Sequence, residues 1–284
     1  NIAKLARNSS NDSQNVARID GGNGLDSVVL SGTGVTVDLT SLKSDVIQSV
    51  ERVDLTASGS NTLRMNLTNV VQMSNDNVYN TGNGYSVVSG SAPSGWGAIN
   101  RYKQALLDGD ASDATYLQGE WLVTGLVSKA GVNYKVVQHA TAQAQVLVND
   151  AIDLRLNPSI NTGFGEWVGG LTYDEANSNG GTVVRVSLLY TGATTGQQVQ
   201  LNYGSASPVL SAALTSANLA NGYVDVTVPS ATLFGAGVAS GSSGTLMVTP
   251  ALVSVSSGVT TMINNGTTLP LNVSYICLLY TSDA

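Results

Sequence analysis

Charge is what this sequence has least of. Only 11% of its 284 residues are Asp, Glu, Lys or Arg, against roughly 25% in an average soluble protein. Lys and Arg number 12 against 19 acidic residues, giving a net charge of −7 and a pI near 4.5. That balance argues against the basic face that nucleic-acid binding requires. There is one histidine, His139, so a Ser-His-Asp triad would have to use it. It closes an expected strand, and no G-x-S-x-G elbow precedes a helix. The expected role of His139 is that of an ordinary strand-end residue, and the chain is expected not to be an enzyme. No run approaches the ~18 apolar residues of a membrane helix. The chain begins at Asn1 with no recognisable signal peptide, and is expected to be a piece of something longer.

Gly, Ser, Thr, Asn, Val and Leu fill the space left by charge. Most of these are weak helix formers, while an apolar content of 42% is enough to build a core. The expectation is an all-β chain of two tandem β-rich modules. Residues 1–15 read as a polar linker or the end of a preceding module. The first module spans 16–153, with short alternating runs at 34–39 and 62–67, an apolar run at 27–30, and stronger strands at 120–127, 132–139 and 144–149. Thr68 is placed to cap one short helix that turns Leu67, Val70 and Val71 inward. Residues 75–105 lose this order and read as an insertion. The second module, 154–276, alternates cleanly at 184–188, 199–203, 224–228 and 269–275 between Gly-, Ser- and Asn-rich turns, as an antiparallel two-sheet sandwich requires. The last eight residues, Cys277 to Ala284, resemble the translation of a transposase-type sequencing adapter and are expected to be read-through. Cys277 is the only cysteine, so the remainder has none, which suits an exported protein.

One motif stands out. GGNGLDSVV (21–29) fits the nonapeptide G-G-x-G-x-D-x-U-x through Gly21, Gly22, Gly24, Asp26 and Val28. The neighbouring nine-residue windows, DSQNVARID and LSGTGVTVD, lack its Asp. Calcium takes six to eight oxygens, so one such turn supplies only part of a site. Asp20, Asn23 and Asp26 are candidate calcium ligands if help comes from elsewhere, and the other reading is a structural turn leading into a strand. Asp108, Asp110 and Asp113 form the densest acidic cluster. It is not an EF-hand, because Asp113 stands where Gly is needed and Gly119 where a bidentate Glu is needed; calcium in an irregular loop and a solvated acidic turn both remain open.

Three stretches of the first module, ARIDGGNGLDSVVLSGTGVTVDLT, ERVDLTASGSNTLRMNLTNVV, and LLDGDASDATYLQGEW with NYKVVQHATAQAQVLVNDAIDL, resemble modules of large repetitive bacterial surface adhesins of the RTX, type I-secreted kind. LTYDEANSNGGTVVRVSL, TGQQVQLNYG and LTSANLANGYVDVTVPSATL are similar to the Ig-like repeats of the same proteins. The resemblance implies a non-enzymatic stalk segment of an exported, calcium-dependent cell-surface protein used in attachment or biofilm formation. Its partners would be neighbouring modules of the same chain, with surface glycans or host ligands met through a distal domain. It also implies calcium at the junction of the modules, where Asp150, Asp153, Asp174 and Glu175 are the candidates. A rival reading is a carbohydrate-binding module that uses Trp96 and Tyr102 in the insertion; Trp121, in a strand, is expected in the core. A third is an accessory β-domain of a secreted hydrolase.

Overall fold

The computed structural model describes residues 19–42, 46–56, 59–89, 101–165, 170–172, 176, 180–204, 206–235 and 243–274. The linker 1–15 and the tail 277–284 lie outside them. The fold is all-β. The chain divides into unit 1, Asn1–Leu156, and unit 2, Asn157–Ala284. The boundary falls just beyond 153/154 because Asp153–Leu156 is the last strand of unit 1.

Unit 1 is a stack of parallel coils. Coil one runs through β1 (Ile19–Asp20), β2 (Ser27–Val29) and β3 (Thr36–Asp38), and coil two through β4 (Ile47–Gln48), β5 (Arg52–Asp54) and β6 (Thr62–Asn66). A helix, α1 (Leu67–Met73), and two short strands, β7 (Asn75–Asp76) and β8 (Ser86–Ser89), follow. Coil three is β9 (Lys103–Asp108) with β10 (Ala114–Gln118). A hairpin, β11 (Trp121–Lys129) and β12 (Val132–His139), precedes coil four, β13 (Ala144–Asn149) with β14 (Asp153–Leu156).

Strands β2, β5, β9 and β13 pair in parallel as one face, and β3, β6, β10 and β14 as another. Equivalent positions therefore stack. Val28, Val53, Leu107 and Val148 form one inward column; Val37, Leu63, Thr115 and Leu154 form another. Each fully buried aliphatic side chain contributes about 1.5–3 kcal/mol. The hairpin pairs antiparallel to β13 through β12, so the last coil does not leave that strand edge open.

Two sequence expectations shift here. Helix α1 is capped by Asn66 in a reciprocal capping box with Asn69, not by Thr68. It buries Val70 and Met73, while Val71 is exposed. The insertion expected at 75–105 ends earlier, since Lys103 already belongs to β9. Its described part packs on the outer surface of the first face, where Tyr79 and Tyr85 join Leu106, Val127, Tyr134, Val136 and Leu147 in a second small core.

Unit 2 contains β15 (Ser159–Ile160), β16 (Leu171–Thr172), β17 (Gly181–Ser187), β18 (Gln198–Tyr203), β19 (Val209–Leu210), α2 (Ser216–Asn221), β20 (Tyr223–Pro229), α3 (Ser230–Gly235), β21 (Ser243–Ser256), β22 (Val259–Asn265) and β23 (Leu269–Ser274). One sheet has the order β15-β17-β20; the other has β16-β23-β21-β18-β19, with β22 also on β21. Alternate residues of both sheets share one core: Val184, Val186, Val224, Val226 and Val228 from the first, and Val199, Leu201, Tyr203, Leu246, Val248, Leu271 and Val273 from the second. Pairing is antiparallel apart from β16 beside β23, which is parallel. Arg185 and Asp225 are the only charged side chains among the described residues of this unit. They sit opposite each other on β17 and β20 and join through two hydrogen bonds of 2.7 and 2.8 Å, with the guanidinium against the Phe164 and Tyr223 rings.

Candidate functional site

The acidic loop 108–113 is the corner between β9 and β10, and its three carboxylates have different tasks. Asp113 is buried. Its Oδ1 accepts the N–H of Asn61 at 2.8 Å and its Oδ2 the N–H of Asp110 at 2.9 Å. Asn61, fully buried one coil earlier, does the same for coil one: its Oδ1 accepts the N–H of Val35, and its Nδ2 donates to the carbonyls of Leu55 and Gly59. The two side chains tie three successive corners together, because a sharp corner leaves backbone groups that no strand neighbour can satisfy. Asp110 is exposed and closes its own turn, accepting from the hydroxyl and N–H of Ser112. Those bonds hold its pKa below the usual carboxylate value.

Asp108 faces outward from β9, where its Oδ1 accepts the Tyr134 hydroxyl at 2.8 Å and its Oδ2 pairs with Arg52 Nε. Arg52 also reaches Asp54 at 3.1 Å. Burial opposes the Arg52 charge, but the hydrogen bond and the attraction of Asp108 outweigh it and raise the pKa. Burial pushes the Tyr134 hydroxyl up, with the Asp108 hydrogen bond adding to it, and pushes Tyr85 up to about 12. Beside them runs a buried amide ladder: Gln104 Nε2 donates to Gln145 Oε1, and Gln145 Nε2 to Gln138 Oε1. Gln138 Nε2 continues it to the Tyr102 hydroxyl. Tyr102 is thus a buried anchor of this ladder, not an aromatic platform open to solvent.

In the turn 20–26 the candidate ligands separate. Asp20 Oδ1 accepts the N–H of Gly22 at 3.1 Å, and Asn23 is exposed. Asp26 lies over Glu51, whose Oε2 accepts the Asp26 N–H at 2.9 Å. Glu51 was absent from the residues singled out by sequence. A signal for it exists: Asp26-Ser27-Val28-Val29-Leu30 and Glu51-Arg52-Val53-Asp54-Leu55 repeat an acid-x-V-x-L pattern, one coil apart.

Near the junction, Asp150 pairs with Lys135 and Asp153 with Arg155. Asp174, Glu175, Trp96 and Trp167 lie outside the described residues. Trp121 is buried, as expected, its ring edge-on to His139 with centroids 5.0 Å apart. His139 Nδ1 accepts the N–H groups of Thr141 and Ala142, at 3.3 and 3.2 Å, which closes the turn after β12. The Thr141 hydroxyl lies 3.4 Å from the same nitrogen. Burial lowers the His139 pKa, and the charge of Glu120 works against that.

Unit 2 carries a shallow depression of about 380 Å³ lined by Thr172, Ser243, Thr245, Asn272 and Ser274, with Gly170 and Gly244 among its backbone. Thr245 Oγ1 donates to Asn272 Oδ1, and the Ser243 and Ser274 hydroxyls are 3.3 Å apart. No lining side chain is ionisable. Among the described residues, no group of three or more His, Cys, Asp or Glu is arranged to hold a metal, and no helix is long and apolar enough to cross a membrane. No family model matches the chain, and neither a curated protein nor a solved structure matches it.

Proposed function

We propose that this chain is a non-enzymatic structural segment of an exported, calcium-dependent bacterial adhesin of the RTX type, holding a distal ligand-binding region away from the cell for attachment or biofilm formation. One observation carries the reading: a stack of parallel coils is followed in the same chain by a sandwich with an Ig-like strand order. In unit 2, with β22 and β23 counted as two parts of one strand and β16 as a short edge, the first, second and fifth strands (β15, β17, β20) form one sheet. The third, sixth and seventh (β18, β21, β23) form the other. That order resembles the order of an immunoglobulin-like domain, with the fourth strand, β19, moved beside the third, and supports the Ig-like reading. In unit 1 the buried polar side chains brace coil to coil, which suits a mechanical role. Sequencing the reading frame on both sides tests the proposal. Further sandwich modules and a nonapeptide array in frame support it. A catalytic domain in frame would make this an accessory segment of a secreted hydrolase instead.

Carbohydrate binding is the second reading, favoured by the uncharged, hydroxyl-lined depression beside β16 and β23. A glycan array separates the two. A neutral-glycan signal lost in Asn272→Ala supports the second reading, and an array without signal removes it.

A further inference from the structure

Five asparagines are followed directly by glycine: Asn23, Asn83, Asn179, Asn221 and Asn265. This dipeptide carries a reaction of its own. The glycine backbone nitrogen can attack the asparagine Cγ, because glycine has no Cβ to restrict the approach. The nitrogen must be free to lose its proton, and the backbone free to bring it to the carbon. In three of the five the fold withholds that nitrogen. Gly84 donates its N–H to the Thr81 carbonyl and Gly266 to that of Pro250. Gly222, at the end of α2, donates to the carbonyls of Asn218 and Leu219. Gly266 is also hemmed in, since a Cβ there would lie 2.1 Å from the Pro158 carbonyl oxygen. Asn179 lies outside the described residues.

Asn23–Gly24 differs. Among the described residues the Gly24 N–H has no acceptor and the Asn23 side chain has no partner. Both residues are exposed, and a Cβ on Gly24 would meet nothing within 4 Å. The turn is fastened only on either side of them. Gly21 donates its N–H to the Gln48 carbonyl at 3.0 Å, Gly22 to Asp20 Oδ1 at 3.1 Å, and Asp26 to Glu51 Oε2 at 2.9 Å.

We propose that Asn23 is a site of spontaneous deamidation, selected by the fold from among the Asn-Gly pairs, and that its conversion loosens coil one from coil two. Hydroxide takes the Gly24 amide proton, and the nitrogen bonds to Asn23 Cγ. The Cγ–N bond breaks, and the side-chain nitrogen takes a proton from water and leaves as ammonia. Water then opens the five-membered succinimide at either carbonyl, giving aspartate or isoaspartate. Only water and hydroxide are needed. Either product adds a negative charge to a turn that already holds Asp20 and Asp26 and packs on Glu51, and like charges repel. Isoaspartate also routes the main chain through one extra CH₂, between anchors at Gly22 and Asp26 that are set for the shorter path. The inference stands whether or not the chain is an adhesin segment.

Ageing the full chain in warm, mildly alkaline buffer tests the site, with peptide mass spectrometry using fragmentation that separates aspartate from isoaspartate. Asn23 should gain the mass of OH in place of NH₂ about 2–10-fold faster than Asn83, Asn221 or Asn265, the factor by which one backbone hydrogen bond that must first break slows the others. In urea, which frees the three tied amides, the four rates should converge. Asn23 intact after native ageing, or converting no faster than the other three, overturns the proposal. The same order of rates in urea as in the native chain overturns it too, since local sequence rather than the fold would then set it. Asn23→Gln, which would need a larger ring, should stay unmodified, and its unit 1 urea midpoint should not fall on ageing as the wild type's does. An equal fall in both refutes the loosening of coil one. Should the variant fail to fold, the wild-type map and its change in urea still decide.

Discussion

Replacing Asp113 by Asn separates a calcium loop from a coil corner. Asp113 receives two backbone N–H groups, one on each oxygen, from Asn61 and Asp110. Asparagine keeps one acceptor oxygen and turns an NH₂ group toward the other N–H. One charge-assisted bond becomes a neutral one, at a loss of about 1 kcal/mol, and a second is lost with a buried donor facing a donor, at about 1–3 kcal/mol. The sum is about 3 kcal/mol, or about 6–12 °C in the midpoint of a unit this size. Urea unfolding followed by near-ultraviolet circular dichroism, supported by the emission of the buried Trp121, reads the unit 1 transition. The loss should be the same in calcium and in chelator, because both oxygens are already occupied by the protein. A loss below about 0.5 kcal/mol, or one that appears only in calcium, would refute the corner assignment.

Three further outcomes follow from the same geometry. Asn61→Ala removes three hydrogen bonds at a fully buried position and should cost about 3 kcal/mol, measurable in the same urea titration; a loss under 1 kcal/mol contradicts the bracing of the coil corners. Tyr134→Phe removes the donor on Asp108 Oδ1 and should cost about 1–2 kcal/mol, a value that chemical unfolding resolves and that an unchanged midpoint would exclude. His139 has a folded pKa below 6.5, so the unfolded chain binds this proton first as the pH falls. Its stabilising effect is complete above about pH 6.5 and is lost as the pH drops toward the folded pKa. His139→Asn, which keeps an acceptor for the turn, should flatten the stability profile below pH 6.5; an unaltered profile would show that this group does not set it.

Strands were readable because a half-buried strand writes its exposure every second residue. The columns Val184–Val186 and Val224–Val226–Val228 are alternating in sequence and in burial alike. The parallel stack was not readable. Equivalent residues Val28, Val53, Leu107 and Val148 are separated by a different interval each time, because a helix, an insertion and the β11–β12 hairpin interrupt the coils. Chemistry varies along a column as well: Asp26, Glu51 and Ala105 share a place but not a charge. The 108–113 cluster was legible as acidic, yet its main hydrogen-bond partner, Asn61, lies far upstream and only the parallel register brings it near. The helix cap was misplaced by two residues because Asn66 and Thr68 are both good capping residues, and the choice depended on where β6 ended. Tyr102 was a candidate glycan contact because the sequence around it reads as an insertion without strand pattern. It is buried because β9 begins beside it.

The role proposed for the chain is that of a mechanical segment of a calcium-dependent protein. Pulling the full chain by its ends in a single-molecule force experiment, in calcium and then in chelator, tests it most directly. The account predicts two separate unfolding events, one for each unit, with the unit 1 event moving to lower force when calcium is removed. Extension without resolvable force peaks, or a unit 1 force that is the same in both buffers, would contradict it.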